Sequence, residues 1–159
     1  MDLDDGMVPG TPGAYGDPTM EMLLEKLCPT VEGTTGLSLF PTYSYFRVYK
    51  NGSVLERHRD RPSCEISVTL CLGYDPDDPW PIFVEGPMAT TSVTLKPGDA
   101  LIYRGRECPH WRNAYAGNHA AQVFLHYVDQ KGPNAEWRFD KRGGIASLRQ
   151  LMKGRQSRS

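Results

Sequence analysis

Within the stretch Glu56-Arg57-His58-Arg59-Asp60, an imidazole and a carboxylate stand two residues apart. On a β-strand that spacing puts both side chains on one face, where a single metal ion is gripped by both. A third ligand must come from elsewhere, and His110, at the end of the later segment LIYRGRECPHW, is the natural supplier. Two histidines and one carboxylate hold iron(II) from one side and leave coordination positions open for a co-substrate and oxygen. A structural metal, by contrast, is closed by four protein ligands. Cys28, Cys64, Cys71 and Cys108 contain no CxxC pair and supply no convincing fourth ligand by spacing. Reduced, partly buried thiols are expected instead.

Such a constellation needs a rigid frame. With 159 residues and 39% hydrophobic content, the chain is long enough for one packed core and too short for two independent domains. Asp17 suits a helix cap and Pro18 the first helical position, and Met20, Leu23, Leu24 and Leu27 recur at helical spacing. The pattern predicts one amphipathic helix ending near Pro29, with a shorter continuation through Val31 and Glu32 before Gly33. From Leu39 the pattern turns to strands. Thr42 to Tyr49 is dense in aromatic and β-branched residues, and Asn51-Gly52 makes a tight turn before Val54 to Asp60. Further strands are expected over Glu65 to Leu72, Ile82 to Glu85, Ser92 to Leu95, Ala100 to Tyr103 and Ala121 to Val128, separated by turn clusters such as DPDDP and KPGD. About eight strands behind one leading helix predict a mainly β, jelly-roll or cupin-like double sheet with a mouth. The expected organisation is a flexible arm over 1–16, a single domain over 17–140, and a polar, basic, partly disordered tail over 141–159.

In chain order, the hairpin carrying His58 and Asp60, the run of strands and then His110 ahead of a last core strand resemble the 2-oxoglutarate and iron(II)-dependent dioxygenase superfamily, near its prolyl-hydroxylase-like and alkylation-repair branches. The resemblance spans Tyr43 to Asp129 and rests on YSYFRVYKNGSVLERHRD, CEISVTLCL, LKPGDALIYRG, PHW and QVFLHYVD. It implies a double-stranded β-helix, iron(II) held by His58, Asp60 and His110, and 2-oxoglutarate and O2 as co-substrates. It further implies hydroxylation or demethylation of a substrate, with succinate and CO2 as co-products. Halogenating relatives replace the metal-binding carboxylate by a small residue, so Asp60 favours hydroxylation or hydroxylation-triggered demethylation. By analogy with the repair branch, Tyr49 is a hydrogen-bond donor to 2-oxoglutarate.

One departure matters. Members of the superfamily usually carry Arg or Lys some nine to twelve residues beyond the distal histidine, where it pairs with the far carboxylate of 2-oxoglutarate. Here those positions are His119, Ala120, Ala121 and Gln122. A buried carboxylate needs a cation or several donors, so another group must serve. Arg47 is the first choice, because it alternates with Tyr45 and Tyr49 on one strand face. Arg112 could fork onto the same carboxylate, and Gln122 and His126 could add neutral hydrogen bonds. Trp80 and Trp111 adjoin loops that would ring the mouth, and Arg57, Arg59 and Arg61 are expected at the surface.

Two rival readings remain open: a cupin-like metal-binding protein without turnover, and a cupin enzyme that needs no 2-oxoglutarate. The substrate is expected to be a small molecule or peptide. With 18 Lys and Arg against 19 Asp and Glu, no net field draws nucleic acid or an anionic membrane. No apolar run reaches the ~20 residues of a membrane span, and the acidic start MDLDDGMVPGTPG is unlike a secretory signal. A cytoplasmic location is expected.

Overall fold

A computed structural model describes residues 7–145. Strand β1 (Gly13–Tyr15) is followed by helix α1 (Pro18–Thr35), then β2 (Leu39–Lys50) and β3 (Leu55–His58). A 3-10 turn (Pro62–Cys64) leads to β4 (Ile66–Tyr74), β5 (Ile82–Glu85), β6 (Thr90–Val93), β7 (Ala100–Tyr103), β8 (His110–Arg112) and β9 (His119–Asp129), and a second 3-10 segment spans Ala135–Lys141. The strands form a five-stranded sheet in the order β1-β2-β9-β4-β7 and a four-stranded sheet in the order β3-β8-β5-β6. All of their pairings are antiparallel. This is the jelly-roll double sheet expected from the strand pattern, and it agrees with the double-stranded β-helix that the resemblance implied. No helix among the described residues is long and apolar enough to cross a membrane.

Alternation along β9 explains how one strand serves two layers. Val123, Leu125 and Tyr127 face outward and pack with Leu24 and Val31 of α1 and with Ile66 and Val68 of β4. Each such fully buried aliphatic side chain contributes roughly 1.5–3 kcal/mol. Ala120, Phe124 and His126 face the other way, into the space between the sheets. β9 therefore forms the partition between a structural core beneath the helix and the inter-sheet cavity.

Helix α1 starts where the sequence marks it, with the Asp17 carboxylate accepting from Thr19 N at 3.0 Å and Met20 N at 3.1 Å. It runs unbroken past Pro29 to a left-handed Gly36 at φ 72°. Packing of Val31, 2% exposed, offsets the hydrogen bond that the proline removes. Strand boundaries shift by a few residues: the segment expected over Ser92 to Leu95 forms over Thr90–Val93, and the one over Val54 to Asp60 shortens to Leu55–His58.

The arm expected over 1–16 needs correction from Met7 on. Val8 and Thr11 are buried at 4% and 1% exposure, Pro12 O accepts from Val48 N, and β1 extends the large sheet along β2. Short strands rich in Gly and Pro carry no periodicity, and this one is held by the long open edge of β2. At the other end, Arg142 donates to the fully buried Glu21 carboxylate at 3.0 and 3.1 Å and to Thr42 O at 2.7 Å. Ile145 is 1% exposed, so the domain extends beyond residue 140. The remainder of the expected tail, 146–159, lies outside the described residues.

Candidate metal centre

β3 and β8 pair so that His58 lies directly opposite His110. Asp60 follows β3, and its backbone N–H donates to Gly105 O at 2.9 Å. The result is a convergence of the chain's proposed donors: His58 Nε2 and His110 Nε2 each lie 3.3 Å from Asp60 Oδ1. The orientation of both rings has a local cause. His58 Nδ1 lies 2.7 Å from Glu56 O and His110 Nδ1 2.9 Å from Cys108 O, and a carbonyl only accepts, so each Nδ1 carries its proton. Both Nε2 lone pairs are thereby turned toward the carboxylate, the arrangement by which metal-binding histidines are held.

Two lone pairs facing one anion repel unless a cation or proton lies between them. Burial disfavours the charged form of His58, but its hydrogen bonds to Asp60 and the Glu56 carbonyl outweigh burial and raise its pKa. Burial likewise opposes ionisation of Asp60, yet the hydrogen bonds from His110 and His58 hold it well below the usual carboxylate range. The donors therefore fit a divalent metal in the proton's place. Among the described residues no fourth His, Cys, Asp or Glu joins this group; the other such cluster, Asp60, Cys64 and His126, shares Asp60.

A pocket of about 130 Å³ opens on the three donors and is lined also by Tyr43, Tyr45, Arg47, Tyr49, Tyr103 and His126, with Met7 and Val8 at one wall. Arg47 is 3% exposed; its Nη1 donates to Val8 O at 3.1 Å and Thr11 Oγ1 at 2.6 Å, and its Nη2 to Tyr45 Oη at 3.2 Å. Tyr49, 1% exposed, packs edge-on to Trp80 at 4.7 Å. Arg112 is 1% exposed and lies outside the pocket lining. Burial lowers its pKa against the opposing influence of Tyr49, Tyr103 and Cys71. One of its nitrogens donates to Trp80 O, while Nε and Nη2 have no hydrogen-bond partner.

Thr69 Oγ1 and Gln122 Oε1 are the other buried side-chain polar atoms without a partner among the described residues. Thr69, Cys71 and Gln122 belong to adjoining strands, with Cys71 directly opposite Gln122. Leaving such groups unpaired costs ~1–3 kcal/mol apiece, more for a charge. These unpaired polar atoms are of a kind that fits a polar ligand.

His126 is buried at 5% exposure and burial pushes its pKa down to about 4. Its Nδ1 faces Ser67 Oγ at 2.9 Å. Trp80 and Trp111 do not line the pocket: Trp80 packs with Tyr49 and Tyr115, and Trp111 stacks on Phe83 at 5.5 Å. Arg57 pairs with Glu85 at 2.7 Å, Arg59 is exposed, and Arg61 forks onto Asp140 with both bonds at 2.9 Å. Sequence reasoning passed over Ser67, Thr69, Tyr103 and Gly105. The signal for the first two was present in the alternation Ser67, Thr69, Cys71 along an otherwise apolar strand, which marks a polar inner face.

The sequence matches no protein-family model and no curated protein. Solved structures do match. A Pseudomonas putida prolyl-4-hydroxylase is similar with TM-score 0.63 and 18% identity, over 80% of this chain and 77% of that one. HygX from Streptomyces hygroscopicus, solved with nickel and 2-oxoglutarate bound, aligns with TM-score 0.63 and 14% identity over 82% and 74% of the two chains. SnoN, a non-haem α-ketoglutarate-dependent epimerase from nogalamycin biosynthesis, aligns with TM-score 0.64 and 13% identity over 81% and 65%. At such identities the likeness establishes a shared fold.

Proposed function

We propose that this chain is an iron(II) and 2-oxoglutarate-dependent oxygenase that hydroxylates a small-molecule or peptide substrate. The observation that carries the proposal is the convergence of His58 Nε2, His110 Nε2 and Asp60 Oδ1 with no fourth protein ligand among the described residues, a donor set that leaves reactive positions open. Similarity in fold to a prolyl-4-hydroxylase and to a protein holding nickel and 2-oxoglutarate supports it. When bound, iron(II) supplies the redox chemistry that couples decarboxylation of 2-oxoglutarate, giving succinate and CO2, to oxidation of a substrate C–H bond by O2.

The protein's part is to bind, orient and exclude water. His58, Asp60 and His110 hold the metal. Arg112, with two unpaired nitrogens, takes the far carboxylate of 2-oxoglutarate, and Thr69 and Gln122 complete the polar end of that site. Arg112 is preferred over Arg47 because Arg47 already donates to Val8, Thr11 and Tyr45. Tyr49, which lines the pocket and packs on Trp80, donates to the same co-substrate. Arg47 and the Met7–Val8 wall then border the substrate's side of the pocket.

A closed structural metal site lacks support because the cluster has no fourth ligand among the described residues. An enzyme independent of 2-oxoglutarate would leave the orphaned Arg112, Thr69 and Gln122 atoms without purpose. The test is anaerobic addition of Fe(II) and 2-oxoglutarate, followed by oxygen. The expected outcome is a visible metal-to-ligand charge-transfer band under nitrogen, then oxygen-dependent succinate. Absence of both, in protein that binds no divalent metal, overturns the proposal.

A further inference from the structure

We infer that Ser67, His126 and Gly105 form a cradle that holds the Asp60 carboxylate with Oδ1 toward the two imidazoles and Oδ2 engaged away from the metal. The inference rests on the metal centre proposed above and assigns residues to it that bind neither metal nor co-substrate.

The hydroxyl of Ser67 sits at the junction of three polar atoms: Asp60 Oδ2 at 3.1 Å, Cys64 O at 3.1 Å and His126 Nδ1 at 2.9 Å. A serine hydroxyl has one proton. If it donated to His126, the carboxylate oxygen would be left against a bare hydroxyl oxygen. Of the two pure acceptors left, Asp60 Oδ2 and Cys64 O, each at 3.1 Å, the charged carboxylate takes the stronger bond and so the proton. Oγ then accepts from His126, which fixes the histidine as the tautomer protonated at Nδ1. His126 acts on Asp60 only through Ser67: it occupies the lone pair of Oγ and aims the hydroxyl proton at Oδ2.

Gly105 forms the third wall. Its carbonyl accepts from Asp60 N at 2.9 Å, and a Cβ at this position would collide with Asp60 Oδ2, Ser67 Oγ and Cys64 O. The glycine is needed here for space. Three elements thus converge behind one carboxylate: the turn after β7 supplies Gly105, β4 supplies Ser67, and β9 supplies His126 opposite it in register. Anchoring Oδ2 keeps Asp60 a one-oxygen ligand. A carboxylate free to turn would present both oxygens and fill a position that co-substrate or oxygen requires.

All three are positioning residues, and the experiment reads metal binding and not turnover. Cobalt(II) affinity is measured by calorimetry on the full chain for wild type, Ser67→Ala, Ser67→Thr, His126→Phe and the Ser67→Ala/His126→Phe double variant, alongside each thermal midpoint. Ser67→Ala is expected to weaken cobalt(II) binding roughly 10–100-fold, and Ser67→Thr, which keeps the hydroxyl, to restore it to within about threefold. Because His126 acts through Ser67, the double variant is expected to bind no more weakly than Ser67→Ala alone. A merely structural role would instead give additive losses that track the thermal midpoints. Wild-type binding with unchanged affinity in Ser67→Ala, or additive losses, overturns the cradle and leaves the proposed function standing. Wild-type protein that takes up no cobalt(II) sinks both.

Discussion

Two arginines on facing sheets compete for one role, and their existing partners decide between them. Arg47 is satisfied by Val8, Thr11 and Tyr45. Arg112 is buried with two bare nitrogens, so an anion at Arg112 removes a penalty that an anion at Arg47 does not. Arg112→Gln is therefore expected to raise the 2-oxoglutarate concentration needed for half-maximal succinate formation by about tenfold or more, consistent with loss of a charge-assisted bond, while cobalt(II) affinity stays within about twofold of wild type. Arg47→Ala is expected to change that requirement less. The opposite ranking would return the clamp to Arg47. At the proposed metal donors no such competition arises, because backbone carbonyls at Glu56 and Cys108 set both imidazole tautomers before any ligand arrives.

At the scale of elements, helix α1 is bound to the large sheet by apolar contact and to the segment that follows Ala135–Lys141 by an ion pair. Glu21 is 0% exposed, and its carboxylate receives Arg142 Nη2 at 3.0 and 3.1 Å and Ser44 N at 3.1 Å. Removing one member of such a pair leaves the other charge buried and uncompensated. Glu21→Ala is expected to destabilise by about 3 kcal/mol, read as a lower urea midpoint with unchanged slope; a loss under ~1 kcal/mol would show the pair to be dispensable. Asp140 ties the segment Ala135–Lys141 to Arg61 and to the Tyr15 hydroxyl of β1. Burial disfavours its charge, but the bonds from Arg61 and Tyr15 prevail and its pKa falls below the ordinary value. A carboxylate depressed in the folded state adds stability above its unfolded pKa and loses it as pH falls through the folded one. Asp140→Asn should thus be less stable than wild type at pH 7, by on the order of 1 kcal/mol given the half-exposed Arg61, and the gap should close toward pH 3. An undiminished gap at pH 3 would refute the electrostatic account.

Seen as a whole molecule, the chain uses the middle strand of its five-stranded sheet on both faces. β9 buries Val123, Leu125 and Tyr127 under the helix and lends Phe124 and His126 to the pocket. Core packing and site geometry are therefore mechanically joined through one backbone, and substitutions on the helix side of β9 will be felt at Ser67 and Asp60. Residues 7–16 close the same assembly from outside, adding a strand to the large sheet and a wall to the pocket.

The convergence of His58, Asp60 and His110 was legible in the sequence because strand periodicity is a local property: residues two apart share a face whatever the rest of the chain does, and His110 was the histidine in the right order along it. The double sheet was legible for the same reason, as alternating strands punctuated by turn residues. Which cation sits unpaired, which hydroxyl meets the far oxygen of Asp60, and whether an aperiodic Gly- and Pro-rich start packs or trails away were not. Each depends on two sheets facing one another, and the distance between residues on opposite sheets is set by closure of the barrel, which no local pattern encodes.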